Sequence, residues 1–167
     1  VGVMIESPDT CGMKLAEALA LRAEKARRAD QLRARITANA RYQEGETPAE
    51  EAGDLLDEAG DVLGELESLI RRINRTNATV TVDGGGTLTD ALARRDVLRL
   101  RHGLVTAAAS AAAGEGQHGY RQLRSELRMI AALPVAELRA QADELARELR
   151  EVDTLIQRTN WEADLLD

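Results

Sequence analysis

Glu51, Asp54, Glu58 and Asp61 follow one another at spacings of three and four, which puts four carboxylates on one side of a helix. Hard oxygen ligands so placed suit magnesium, and a magnesium ion polarises phosphoryl oxygens, so the row predicts, as one reading, a metal-dependent nucleotide hydrolase. The competing reading is a solvated acidic face near a helix start, where negative charge is favoured by the helix dipole.

A second polar feature occurs twice. Ile73-Asn74-Arg75-Thr76-Asn77 closes one helical stretch and Ile156-Gln157-Arg158-Thr159-Asn160 closes another. Continuing each apolar period carries Thr76 and Thr159 to the core side, one turn beyond Ile73 and Ile156, with Arg and Asn beside them. Arg75, Thr76, Asn77, Arg158, Thr159 and Asn160 are therefore candidate ligands for a small anion, or else a buried polar layer or helix terminators. The remaining chemistry-bearing residues lack partners at useful spacing. His102 and His118 sit in no Glu-x-x-His arrangement, Gly84-Gly85-Gly86 lacks the lysine of a phosphate loop, and Cys11 is the single cysteine. No motif implies a cofactor.

The elements that would carry these residues are helical. Ala, Leu, Glu and Arg dominate, Phe is absent, and only one Trp and two Tyr occur in 167 residues, so the core must be aliphatic and alanine-rich. A first helix runs from Met13 toward Gly45, with Leu15, Leu19, Ala26, Ala29, Leu32, Ile36 and Ala40 on its apolar side. Thr47, Pro48 and Glu50 announce the second through a capping box with Pro at its first position. Its seam is Leu55, Ala59, Val62, Leu66, Leu69 and Ile73, and Gly53, Gly60 and Gly64 suggest close approach of another segment. Thr79 to Val82 reads as a short strand before the turn Asp83 to Gly86, with Ser125 to Ala132 as a partner strand. Thr87 and Asp90 form the capping box of a third helix, whose face is Ala93, Val97, Leu100, Leu104, Ala107 and Ala111. Pro134 opens the fourth, with a seam of Val135, Leu138, Ala142, Leu145, Leu149, Val152 and Ile156.

The helices repeat in pairs. Residues 15–22 and 88–95 share five identities in eight positions, and the two Arg-Thr-Asn segments fall at corresponding helix ends. The expected fold is mainly α: duplicated long αα-hairpins, 13–77 and 88–162, forming an up-down bundle with coiled-coil-like seams and a minor β-hairpin. Residues 1–12 read as a loose leader to a single helical domain, 13–167.

Met13-Lys14-Leu15-Ala16-Glu17-Ala18-Leu19, Gln43-Glu44-Gly45-Glu46-Thr47-Pro48-Ala49-Glu50, the Ile73 to Asn77 segment, Leu88-Thr89-Asp90-Ala91-Leu92, Arg124-Ser125-Glu126-Leu127-Arg128 and Ile156 to Trp161 together resemble the septicolysin-like proteins of bacteria. The resemblance covers Met13 onward and implies a thiol-activated, pore-forming activity. The residues themselves do not carry that activity: Cys11 precedes the resembling region, and Trp161 alone cannot make a tryptophan-rich membrane loop.

A net charge of −7 opposes general nucleic-acid binding, and no apolar run approaches the ~20 residues of a membrane span. One cysteine suits a reducing cytoplasm. Leu56, Leu63, Leu98 and Val105 add apolar surface beyond what a slim bundle buries, which points to a homo-oligomer. The function read from the sequence is thus a homo-oligomeric helical scaffold or binding protein, with the metal-dependent hydrolase and the cytolysin-like pore former as alternatives.

Overall fold

The computed structural model describes residues 12–115 and 129–167, and it is mainly helical. Four helices follow in order: α1 (Leu15–Asn39), α2 (Ala52–Thr79), α3 (Leu88–Ala112) and α4 (Val135–Glu162). The described residues divide into two compact bodies, one of residues 12–80 with 158–167 and one of residues 81–157, so α4 contributes its last turn to the first body.

In the first body α1 and α2 form an antiparallel hairpin. Ion pairs step along it from Arg35–Glu50 through Arg28–Glu58 to Lys25–Glu65. Between them lies an aliphatic core of Leu32, Leu55 and Val62, with Ala29, Ile36 and Ala59 packed against it. The seam of α2 is buried as its period predicts, at Leu55, Val62, Leu69 and Ile73, and continues to Thr76. On α1, Leu15, Ala18 and Leu32 are buried, whereas Ala26 and, just past the helix end, Ala40 are exposed.

The connection departs from the capping pattern in the sequence. Helix α1 stops at Asn39, short of Gly45, and α2 starts at Ala52, with Glu51 rather than Thr47 at its N-cap. The cause is tertiary competition for Glu50. Its carboxylate is gripped by Arg35, with Nε donating to Oε2 at 2.9 Å, and its backbone N–H donates to Asn39 Oδ1 at 3.2 Å. Asn39 in turn donates to the Arg35 carbonyl at 2.9 Å. Glu50 therefore closes the end of α1 instead of capping α2. The glycines of α2 also differ from expectation: a Cβ built on Gly53, Gly60 or Gly64 meets nothing within 4 Å.

In the second body α3 and α4 are again antiparallel. Asp90 and Ala91 at the start of α3 line a cleft with Val152 and Leu155 of α4, and Glu115 just past the end of α3 pairs with Arg139 near the start of α4 at 2.7 Å. The predicted capping box forms: Asp90 N–H donates to Thr87 Oγ1 at 3.3 Å, and the Asp90 carboxylate accepts from the Thr87 N–H at 2.7 Å and its hydroxyl at 2.8 Å. Those two donors hold the Asp90 carboxyl below the usual carboxylate range. Gly86, at φ 84°, brings the chain into this cap, and a Cβ there would lie 3.2 Å from Asp90 Oδ2. The seam of α4 is buried at Leu145, Val152 and Ile156.

The face of α3 is the reverse of the one expected. Leu88, Ala91, Leu98, Val105 and Ala109 are buried. Ala93, Val97, Leu100, Leu104, Ala107 and Ala111 are all exposed. The helix carries two apolar rows on nearly opposite sides, and ion pairs flanking the first, Arg94–Glu148 and Arg99–Asp153, accompany its packing on α4. The other row stays open.

Helix α2 runs through Thr79, so the residues read as a first strand are partly helical. Among the described residues no strand occurs, only single antiparallel bridges, Thr81 with Thr87 and Lys14 with Asp164. Of the second expected strand, residues 125–128 lie outside the described residues, and 129–132 are irregular.

Candidate functional site

A dense polar constellation lies where the end of α2 meets residues 163–167. The long α2 seam delivers Thr76 to the core side, fully buried. A buried hydroxyl must be hydrogen-bonded, and this one is used twice: it donates to the Arg72 carbonyl at 2.8 Å and accepts from the Leu166 N–H at 3.0 Å. The segment it holds is anchored again at the start of α1. Leu15 N–H donates to the Ala163 carbonyl at 2.9 Å, Leu165 N–H donates to the Met13 carbonyl at 2.8 Å, and the Leu165 side chain is buried. Lys14 Nζ reaches the Glu162 carbonyl at 3.1 Å and Asp164 Oδ1 at 2.7 Å.

Arginines complete the arrangement. Arg72 donates from Nε to the Leu166 carbonyl at 3.1 Å and from Nη2 to Asp167 Oδ1 at 2.8 Å, while Arg75 Nη1 donates to the backbone oxygen of Asp167. Ser68, Arg71, Arg72, Arg75 and Asp167 line a shallow cleft of about 370 Å³. The fork of a guanidinium suits oxygen acceptors of this kind, because one plane of N–H groups meets two acceptors at once.

Of the six residues proposed from the repeated motif, Arg75 lines this cleft and Thr76 lies buried beneath it. Asn77 is half-buried, and Thr159 and Asn160 are buried. Arg158 is exposed and stands 3.9 Å from Glu162, one turn along its own helix. Both Arg-Thr-Asn triplets belong to the first body, whereas Ile156 and Gln157 belong to the second. Thr76, Thr159 and Asn160 are the buried polar residues among those described, and no buried side-chain nitrogen or oxygen there lacks a hydrogen-bond partner. Arg71 and Arg72 escaped the motif because they precede it, although the Arg71 to Arg75 spacing of four already sets two guanidiniums on one face.

The acidic row is differently placed. Glu58 is paired with Arg28, whose Nε donates at 3.0 Å, Glu51 is the α2 N-cap, and Asp54 lies in the first turn. Carboxylates on successive turns of one helix need a second acidic element to close a metal shell, and the facing positions of α1 carry Lys25 and Arg28 instead. Among the described residues no group of three or more His, Cys, Asp or Glu converges on a metal-sized space. His102 is half-buried on α3; His118 and Cys11 lie outside the described residues. No helix of the described residues is long and apolar enough to cross a membrane.

Residues 22–165 match a family of unknown function, DUF6847. A crystal structure of a functionally unknown conserved protein from Corynebacterium diphtheriae is similar with a TM-score of 0.84 and 39% sequence identity, covering 93% of this chain and 99% of that one. No curated protein matches the chain. Neither match carries a cytolysin or enzyme description, so the pore-forming reading rests on the septicolysin-like resemblance alone.

Proposed function

We propose that the chain, which belongs to the DUF6847 family of unknown function, is a homo-oligomeric helical scaffold or binding protein. One observation carries the reading. On α3, Val97, Leu100 and Leu104 are 53%, 74% and 71% exposed, in a continuous row with the exposed Ala93, Ala107 and Ala111.

The eighteen steps from Ala93 to Ala111, at a rise of 1.5 Å each, make this apolar row about 27 Å long. Burying an aliphatic side chain contributes roughly 1.5–3 kcal/mol, so leaving three of them in water forgoes a large stabilisation that a partner recovers. A second copy of the same row is the economical partner, because a twofold axis lets one apolar row cover its own duplicate. The alanines at both ends allow two helices to approach closely. Leu56 and Leu63, exposed on α2 beside the open positions Gly60 and Gly64, offer a further apolar strip for assembly. Within each body an aliphatic seam, that of α2 in the first and that of α4 in the second, supports a coiled-coil-like hairpin.

Native mass spectrometry of the whole protein tests the reading. It expects one defined multiple of the 18.1 kDa chain. A monomer at every concentration contradicts it.

A further inference from the structure

We propose that Arg71, Arg72 and Arg75 form an oxyanion-binding site, and that the Asp167 carboxylate occupies it as an internal stand-in for the ligand. Arg71 and Arg75 are one turn apart on the same side of α2, and Arg72 lies beside them, so three guanidiniums open on one cleft. The carboxylate lining that cleft is Asp167. Glu67 reaches Arg71 only at 4.0 Å, from the same helix. Positive charge is thus concentrated here in a chain whose net charge is −7. The helix dipole does not account for it, because the last turn of α2 holds no basic residue.

The stand-in shows which chemistry fits. Arg72 and Arg75 meet three oxygens at once: Oδ1 of Asp167, the Leu166 carbonyl and the backbone oxygen of Asp167. A tetrahedral oxyanion of the phosphate class presents that number of acceptors from one centre and carries more charge than a carboxylate. The Asp167 side chain is fully exposed, so its pairing with Arg72 is screened by water and salt and exchanges readily. Displacing it need not unravel the segment. Leu165 stays buried, and the bonds from Leu166 N–H to Thr76 and from Leu165 N–H to Met13 do not involve Asp167.

The test is isothermal titration calorimetry with inorganic pyrophosphate at low ionic strength, on the full chain and on Asp167→Asn. Removing the competing side-chain carboxylate is expected to tighten binding about tenfold. Adding Arg71→Gln or Arg75→Gln to Asp167→Asn is expected to weaken it by about as much, and added salt to weaken it further. Arg71 pairs with Glu67 of its own helix, so Arg71→Gln leaves the held segment intact and keeps the test independent of folding. Absence of binding to Asp167→Asn, no gain over the unaltered chain, or binding indifferent to both arginine substitutions overturns the proposal.

Discussion

The hydroxyl of Thr76, fully buried near the end of α2, accepts a hydrogen bond at 3.0 Å from the backbone N–H of Leu166, ninety residues further along the chain. This contact ties the segment after α4 to α2, and it sets the line of the Arg72 and Arg75 contacts that follow. Thr76→Val keeps the shape and removes the acceptor. The variant is expected to lose about 1 kcal/mol of stability, with faster amide exchange at Leu165 and Leu166. Hydrogen exchange followed by mass spectrometry reads this directly. Unchanged protection would mean that the arginines alone hold the segment.

The two apolar rows of α3 are predicted to respond oppositely to truncation. Leu98 is buried, so Leu98→Ala is expected to cost roughly 2–5 kcal/mol. Leu100 is exposed, so Leu100→Ala is expected to change the stability of the single chain by about 0.5 kcal/mol or less. Urea denaturation under dissociating conditions separates the two, and equal costs would contradict the observed face.

Gly60 sits in the exposed face of α2 with open space where a Cβ would be. Gly60→Ala is therefore expected to raise the stability of the hairpin by about 1 kcal/mol, as helix propensity alone dictates. A loss of stability in the dissociated chain would show that something does pack closely there.

Acid should loosen the start of α3. Thr87 donates to Asp90 from both its N–H and its hydroxyl, which depresses the folded-state carboxyl below its ordinary value. A group depressed in this way adds stability that is complete above the ordinary carboxylate range and is lost as the pH falls through the folded value. The difference in denaturation midpoint between the unaltered chain and Asp90→Asn should accordingly shrink from neutral pH to about pH 3. A difference that grows on acidification has the wrong sign for this cap.

Much of the fold was legible because the heptads of α2 and α4 each offer one dominant seam, and because Thr87 and Asp90 cap locally. Leu55, Val62, Leu69 and Ile73, and likewise Leu145, Val152 and Ile156, are buried as their spacing implies. The face of α3 was not legible, since Leu98 and Val105 compete with Val97, Leu100 and Leu104 at similar hydrophobicity. Their choice depends on a partner helix far along the chain. Thr47, Pro48 and Glu50 read as a helix start, but Arg35 and Asn39 claim Glu50 first. The same limit hid the arginine cleft. Arg75 and Thr76 were visible as an unusual repeat, whereas the roles of Arg71 and Arg72 emerge only when Leu166 and Asp167 fold back beside them.

The most direct test of the assembly reading is sedimentation equilibrium on the unaltered protein and on a Leu100→Lys, Leu104→Lys double variant. The apolar row of α3 predicts a defined oligomer of the 18.1 kDa chain that falls to the single-chain mass in the double variant, with the helical circular dichroism retained. An unaltered protein that sediments as the single chain, or a double variant that keeps the oligomeric mass, contradicts that row as the assembly face.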